Sequence, residues 1–430
     1  MYIINGTIYT MDRNNTVIEK GAIRIKDGIL VEVGRMVSVE EQEDRKEQGG
    51  QKEQEGQGEQ RIKAESYADI PVMEIVPETG EKVLDAQGGW ILPGFVEAHC
   101  HLGIQEEKKG MEGNDCNEAV NPITPWLRAL DAINPMDSAF MDAIRAGITC
   151  VQVGPGSSNV VGGQFLVMKT AGRCIDQMVV KAPSAMKVAF GENPKVNYSE
   201  QEKSPTTRMA IAGMLRKELF EAKAYWEKRR AQQADFEVDF TKECWLPVFD
   251  GKIPLKAHVH RADDIFTAIR IAKEFGFSMT LDHCSEGHLI AGELAQAGYP
   301  AIIGPDLTSR NKIEVQNAAF KTVGILHKAG VTVTITTDHP VCLIQTLPIC
   351  AGLAVKAGLP FMAGLRAITI EAARIAGVEE RVGSLETGKD ADISIFTTNP
   401  MEIMAETLYT IIDGKVVYSY QDKSEGENIV

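Results

Sequence analysis

The chain has two strand-rich ends around a long middle in which apolar runs alternate with helical stretches. At the N-terminal end, residues 1–11 and 21–34 alternate apolar and polar positions and contain Asn-Gly and Asp-Gly pairs, which is typical of antiparallel strands joined by tight turns. At the C-terminal end, residues 390–400 and 408–418 have the same character. We therefore expect the two ends to pair and to form one small β domain.

The middle contains about eight short apolar runs separated by segments with helical periodicity. The first run is "WILPGFVEAHCH" and the last is "VTVTITTDHPV". Continuous apolar strands that alternate with helices are typical of parallel sheets, and eight such units predict a closed barrel rather than an open sheet. The predicted boundaries are residues 1–92 and 384–430 for the β domain and residues 93–383 for the barrel.

Residues 40–70 interrupt the N-terminal strands with a polar segment. They include 10 acidic and 5 basic residues and so contribute −5 to the net charge of −15. With almost no large apolar side chains, the segment cannot bury enough surface to offset the entropy lost on ordering. We predict a disordered surface insertion.

Composition narrows the class of protein. The chain has 430 residues, of which 44% are hydrophobic and 24% charged, as in soluble globular proteins. The net charge of −15 argues against nucleic acid or an anionic membrane as a partner. The eight cysteines form no Cys-x-x-Cys pair, and no signal peptide or membrane-spanning run is visible. We therefore predict a cytoplasmic protein.

Histidines and one aspartate collect where the predicted barrel strands end. These residues are His99, His101, His258, His260, His283 and Asp338. In a strand, residues i and i+2 point to the same side, so His99 and His101 face the same way. Three or more imidazoles with a carboxylate form the ligand set of Zn²⁺ or a similar divalent ion that keeps one position open for water. Such an ion lowers the pKa of the water toward 7 and makes it a nucleophile.

Five motifs carry a resemblance to a known family. They are "GFVEAHCH", "AHVHRADDI", "LDHCSEGH", "TTDHP" and "VGSLETGKDADISIF". Together they resemble the amidohydrolase superfamily, in particular its imidazolonepropionase-like and prolidase-like metal-dependent hydrolases. The resemblance implies an α/β fold, namely a distorted (β/α)8 TIM barrel with a small β-sandwich domain built from both termini. It also implies the metal ligands His99, His101, His258, His283 and Asp338.

Two further positions follow from the resemblance. It assigns the ligand of strand five to His258, so that His260 becomes a predicted catalytic or substrate-binding residue. Binuclear members of the superfamily carry a carbamylated lysine at the end of strand four, and Lys187 matches that position, with Lys181 as the competing residue. We expect a divalent metal, with Zn as the first choice, and two ions if Lys187 is carbamylated or one if it is not.

Asp338 has a second predicted role, because a carboxylate beside the attacking water is able to take its proton and pass it to the leaving nitrogen. Arg310 is a candidate for binding a substrate carboxylate through two parallel hydrogen bonds. His339 follows Asp338 directly and is a further substrate-side candidate. The glycine-rich residues 153–159 and 161–165 lack the Lys-Ser/Thr of a phosphate loop and are interpreted as βα loops.

The leading hypothesis is hydrolysis of a C–N amide bond in a dipeptide-like or N-acyl substrate. The alternative is a cyclic amide such as an imidazolone, with one metal. A deaminase of this superfamily usually carries a Glu shortly after the His of strand five, whereas this chain has "HVHRADD". A non-catalytic barrel would show gaps in the ligand set, and a Cys284–His283 pair would face opposite ways along a strand. Relatives often form dimers or larger assemblies, so the resemblance leaves a homo-oligomer open as an alternative to a monomer.

Overall fold

The chain folds into a barrel and a separate sheet, which confirms the predicted α/β class. The computed structural model describes residues 1–36, 71–73, 80–107, 110–232 and 236–420. The insertion predicted at residues 40–70 lies outside the described residues. The two cores are distinct, with one apolar cluster inside the barrel and its helices and another inside the sheet.

The separate sheet has nine described strands from both ends of the chain. They are β1 (Tyr2–Tyr9), β2 (Val17–Lys26), β3 (Ile29–Met36), β4 (Val72–Met73), β5 (Val83–Asp85), β6 (Trp90–Pro93), β15 (Ile393–Phe396), β16 (Thr407–Ile412) and β17 (Lys415–Ser419). Their order is β17-β16-β15-β6-β1-β2-β3-β4, with β5 also on β1. The two ends meet where β15 pairs antiparallel with β6, with Ile395 opposite Ile91. The predicted pairing of the two ends is confirmed.

Eight strands form the barrel in chain order. They are β7 (Phe95–Cys100), β8 (Ile148–Val153), β9 (Val161–Lys169), β10 (Val179–Ala189), β11 (Leu255–Val259), β12 (Met279–His283), β13 (Ala301–Ile303) and β14 (Val333–Ile335). All neighbouring pairs are parallel except those of β9, which runs antiparallel to β8 and β10. Beyond the strands, His101 N donates to His339 O at 2.9 Å, which brings the two edges of the barrel together.

The interpretation of residues 161–165 as a βα loop is wrong, because they begin β9. Two glycines conceal the strand from the sequence pattern, and each is needed for a close approach. A Cβ at Gly163, where φ is +126°, would lie 2.4 Å from the Leu127 carbonyl oxygen. A Cβ at Gly162 would lie 3.1 Å from Lys187 Cγ. The residues on either side of Pro183 also belong to one strand, β10 (Val179–Ala189), which therefore contains both Lys181 and Lys187.

Twelve described helices surround the barrel or follow its strands. They are α1 (Ser138–Arg145), α2 (Ile175–Met178), α3 (Glu192–Glu200), α4 (Arg208–Arg230), α5 (Phe240–Glu243), α6 (Leu246–Phe249), α7 (Ala262–Phe275), α8 (Ala291–Ala297), α9 (Lys321–Lys328), α10 (Leu347–Lys356), α11 (Phe361–Ala367) and α12 (Ile370–Ala376). Helix α7 ends at Gly276 in the left-handed conformation, which is the usual helix stop. None of these described helices combines the length and the apolar character that crossing a membrane requires.

A buried ion cluster joins the barrel to the C-terminal part of the chain. Lys169, at the end of β9, lies 2.9 Å from Asp390 and 2.7 Å from Asp392. Its Nζ is also 3.2 Å from the half-exposed Asp413. Burial lowers the pKa of Lys169, but Asp392, the Cys150 thiol and Asp390 outweigh burial and hold the pKa well above its usual value. The charged lysine therefore fixes the C-terminal segment against the barrel.

Candidate metal centre

One end of the barrel carries all the predicted metal-binding side chains. In a barrel of this type the strands' carboxyl ends share one face, where the loops build the functional site. His99 lies in β7, Lys187 in β10 and His258 in β11, and His283 is the last residue of β12. Asp338 follows β14 and its side chain is 13% exposed, whereas the other side chains are buried.

The first group of potential ligands comprises His99, His101 and Asp338, whose ligand atoms all lie within 4.8 Å of one another. His101 Nε2 is 3.2 Å and His99 Nε2 is 3.5 Å from Asp338 Oδ1. Among the described residues no group donates a hydrogen bond to this buried Oδ1 atom. The carboxylate oxygen therefore keeps its lone pairs available for a cation.

The second group comprises His258, His260 and His283, whose ligand atoms also lie within 4.8 Å of one another. The ring of His283 stacks on that of His260, with centroids 4.8 Å apart, and lies 4.5 Å from that of His258. Asp338 Oδ2 is 4.0 Å from His283 Nδ1, so this aspartate lies between the two groups. His260, predicted to stand on the substrate side, thus lies among the imidazoles themselves.

Hydrogen bonds donated by the Nδ1 atoms orient three of the imidazoles. His99 Nδ1 donates to Asp282 Oδ2 at 2.7 Å, His101 Nδ1 to Gly154 O at 2.7 Å, and His283 Nδ1 to Gly304 O at 2.8 Å. With its proton held at Nδ1, a neutral imidazole keeps an unprotonated Nε2. A carboxylate or carbonyl on the outer nitrogen is the usual support of a metal-binding histidine. The donor set therefore fits a divalent metal.

Burial keeps most of these imidazoles neutral, as metal binding requires. It lowers the pKa of His99 to about 3, of His258 to about 4 and of His260 to about 3, and it holds that of His283 well below its usual value. His101 differs. Burial lowers its pKa too, but the Cys116 thiol and the Asp338 carboxylate outweigh burial and raise it to about 10.

The backbone at two of the ligand positions is strained. His283 has a φ of +79° and Asp338 a φ of +52°, and Cys284 has a φ of +46°. Left-handed backbone at residues other than glycine costs energy and is concentrated at functional sites.

Lys187 is the lysine that reaches the site. Its side chain is fully buried and Nζ lies 3.5 Å from His99 Nε2. Burial lowers its pKa to about 8, although Asp282 and Asp338 oppose the shift. Lys181 lies six residues earlier in β10, and its Nζ is 3.4 Å from Gly377 O. The structure therefore brings Lys187, and not Lys181, to the imidazoles.

The predicted substrate-side residues are placed less uniformly. His339 is buried beside the site; its Nδ1 accepts a hydrogen bond from Ile344 N at 3.2 Å. Arg310 is exposed, and its guanidinium donates twice to Ala318 O, at 3.1 and 2.8 Å. It lines a cavity of about 300 Å³ together with Asp306.

Sequence reasoning missed several residues that the fold brings to the site. Asp282 supports His99 and also lies 3.3 Å from the buried Lys256. Its position directly before His283 in a buried strand was a usable signal. Two further side chains lie beside His258, namely Glu314 from the segment after β13 and Asn193 from α3. Nothing in the local sequence marks them, because only the closed barrel brings them together.

Comparisons with known proteins agree with this geometry. A family model described as Amidohydrolase family matches residues 90–417. The crystal structure of an amidohydrolase from Thermotoga maritima MSB8 has a TM-score of 0.84 and 33% sequence identity, and the match covers 97% of this chain and 99% of that one. The amidohydrolase tasK of Hapsidospora irregularis is 28% identical over 363 residues, which cover 77% of this chain but only 37% of tasK. An imidazolonepropionase of Mesorhizobium japonicum is 23% identical over 419 residues, with 91% and 89% of the two chains covered.

Proposed function

Because the chain belongs to the amidohydrolase family, we propose that it hydrolyses the C–N amide bond of a dipeptide-like or N-acyl small molecule at the barrel mouth. Family membership makes it a metal-dependent hydrolase, and the choice of substrate is the proposal. The observation that carries it is the pair of ligand groups at one end of the barrel, His99–His101–Asp338 and His258–His260–His283.

The residues proposed to hold the metal are those that the sequence predicts. They are His99, His101, Lys187, His258, His283 and Asp338. When bound, a divalent metal supplies Lewis acidity, which makes water nucleophilic at neutral pH. Zinc is the first choice, because imidazole and carboxylate ligands suit it.

Asp338 is proposed as the residue that moves the proton. Burial raises its pKa, but the neighbouring imidazoles of His283 and His101 outweigh burial and hold the pKa well below its usual range. The carboxylate is therefore charged and able to accept a proton from the attacking water. The same oxygen then delivers this proton to the leaving nitrogen, which completes the cleavage without a second acid.

Carbamylation of Lys187 is proposed as the device that holds two ions. The amine nitrogen attacks CO₂, an N–C bond forms and one proton leaves, so the reaction needs a neutral amine. Burial supports this, because it lowers the pKa of Lys187 to about 8. The distance of 3.5 Å between Lys187 Nζ and His99 Nε2 supports this, because a carboxylate formed on Nζ would lie next to the ligand groups.

The second candidate is hydrolysis of a cyclic amide with one metal. It is favoured by the imidazolonepropionase of Mesorhizobium japonicum, which aligns with 91% of this chain. Deamination has less support. The acids after the strand-five histidines, Asp263 and Asp264, lie on α7 and pair with Arg261 and Arg208.

Two substrate-side residues, the cellular compartment and the assembly state complete the proposal. His339, directly after Asp338, is proposed as a substrate contact, and Arg310 would have to release Ala318 O to bind a carboxylate with its whole guanidinium. The eight cysteines are all free thiols, which suits the cytoplasm. Size-exclusion chromatography with light scattering distinguishes a homo-oligomer from a monomer.

Amine release measures the proposed activity directly. Zinc-loaded protein is assayed by amine release against N-acetyl amino acids and dipeptides, and by loss of ring absorbance against an imidazolone, whose ring opens without releasing an amine. Asp338→Asn serves as the inactive variant and His327→Gln as the control, since His327 is exposed on α9. We expect turnover of one substrate class by wild type and by His327→Gln, and a loss of at least a hundredfold in Asp338→Asn. Equal rates in Asp338→Asn and wild type would contradict the proposal.

A further inference from the structure

His260 and Glu314 add to the second ligand group in a way that the sequence does not indicate. Glu314 lies on a short helical turn, Ile313–Val315, after β13, and its side chain is 1% exposed. Its Oε1 atom is 3.7 Å from His258 Nε2 and 3.8 Å from His260 Nε2. The buried Oε1 atom thus lies at almost the same distance from the imidazoles of two histidines at the C-terminal end of β11.

Neighbouring groups hold this carboxylate in place. Glu314 Oε2 accepts a hydrogen bond from Glu192 N at 2.9 Å, and Oε1 accepts one from Lys312 Nζ at 3.1 Å. Lys312 Nζ also donates to Asn193 Oδ1 at 2.6 Å, and Asn193 Nδ2 is 3.3 Å from His258 Nε2. The segments that follow β10 and β13 therefore hold both the Glu314 carboxylate and the Nε2 side of the His258 ring.

Each ring of the group has one nitrogen that its neighbours leave open. His260 Nδ1 lies 2.7 Å from Ser285 Oγ, and His283 Nδ1 donates to Gly304 O, so Nε2 is the open atom in both rings. In His258 the contacts with Asn193 and Glu314 are at Nε2, and the buried Nδ1 has no hydrogen-bond partner among the described residues. Three open ring nitrogens on three adjacent rings match a three-histidine metal site.

We propose that His258, His260 and His283 bind one metal ion as a three-imidazole site, with the Glu314 carboxylate beside it. This inference rests on the proposed function in that it assigns part of the same centre. The site has three protein ligands without Lys187, so that its ion does not depend on a carbamate. Glu314 supplies the negative charge that three neutral imidazoles lack, and so raises the affinity for a dication.

Zinc content and zinc affinity test the proposal without any substrate. Wild type, His260→Gln, Glu314→Gln and the control His327→Gln are loaded with zinc alone, dialysed and measured by elemental analysis and by competition with a chromophoric chelator. We expect His260→Gln to hold one zinc fewer per chain than wild type, and Glu314→Gln to bind the affected zinc about tenfold more weakly. Zinc content and affinity of His260→Gln equal to those of wild type would overturn the proposal.

Lys187→Met separates this site from a carbamate-dependent one. The variant keeps the length and burial of the side chain, and circular dichroism checks its fold. We expect Lys187→Met to retain one zinc that the double variant Lys187→Met/His260→Gln loses. Equal zinc content in these two variants would overturn the proposal, because the second ion would then have depended on Lys187 alone.

Failure of this proposal is distinguishable from failure of the proposed function. Amide turnover by wild type, together with unchanged zinc binding in His260→Gln, would remove the three-imidazole site and leave the hydrolase. Loss of one zinc in His260→Gln, with no turnover of any amide by wild type, would support the three-imidazole site and refute the proposed reaction.

Discussion

Asp282→Asn removes the carboxylate charge next to His99 while keeping the size of the side chain. The carboxylate accepts hydrogen bonds from His99 Nδ1 at 2.7 Å and from Thr280 Oγ1 at 2.6 Å, and Lys256 Nζ lies 3.3 Å away. All four side chains are buried. Burial raises the pKa of Asp282, but Lys256 and His99 outweigh burial and hold the pKa well below its usual range. The charge is therefore present at neutral pH.

Two losses follow from the substitution. His99 loses the carboxylate that orients its ring, and a supporting group of this kind is worth about 10- to 100-fold in metal affinity. Lys256 loses its counter-ion in a fully buried position, and breaking such a pair from one side costs about 3–5 kcal/mol of unfolding free energy. We expect both effects in the single variant.

The double variant Asp282→Asn/Lys256→Met separates the two losses. It removes the unpaired ammonium, so part of the unfolding free energy returns, while zinc affinity stays low because His99 still lacks its carboxylate. Urea unfolding of the metal-free proteins measures the free energy of unfolding, and chelator competition measures the zinc affinity. Wild-type zinc affinity in a folded Asp282→Asn protein would refute the reasoning.

Three further predictions concern other buried or exposed charges. Lys169→Met removes the counter-ion of the buried Asp392 and one of the two cations that pair with Asp390, which keeps Arg381, and we expect a loss of about 3–5 kcal/mol in urea unfolding, against less than about 0.5 kcal/mol for the exposed Lys217→Met. Burial raises the pKa of Glu97 to about 7, so wild type loses stability as the pH rises from 4.5 to 7. The unfolding free energy of metal-free Glu97→Gln is therefore expected to rise by about 3 kcal/mol relative to wild type over this range. A difference that does not change with pH would contradict this prediction. If Arg310 binds a substrate carboxylate, Arg310→Gln raises KM about tenfold for acidic substrates and leaves neutral ones unchanged, whereas equal KM values would assign Arg310 to its loop.

The barrel and the first ligands were predictable because they depend on local periodicity. Strand alternation places His99 and His101 on one side, and the burial of β7 is visible as an unbroken apolar run. The ends of parallel strands meet at one face of a barrel, so the histidines of β11 and β12 could be expected there. These inferences need only the period of each strand and the order of strands.

The rest depends on features that a single segment does not reveal. Gly162 and Gly163 hide β9 from the sequence pattern, because their role is to let other segments of the same chain approach closely. Glu314 and Asn193 reach His258 from segments far apart in the sequence. His283 and Asp338 have left-handed backbone, which the periodicity of the strands does not indicate.

Metal content per chain tests the central claim most directly. Wild type and Lys187→Met are expressed with zinc, dialysed and measured by elemental analysis, with circular dichroism to confirm the fold. We expect two zinc ions per wild-type chain, and fewer than two but at least one per chain in Lys187→Met. A folded wild-type chain that binds no zinc or other divalent metal would contradict the account.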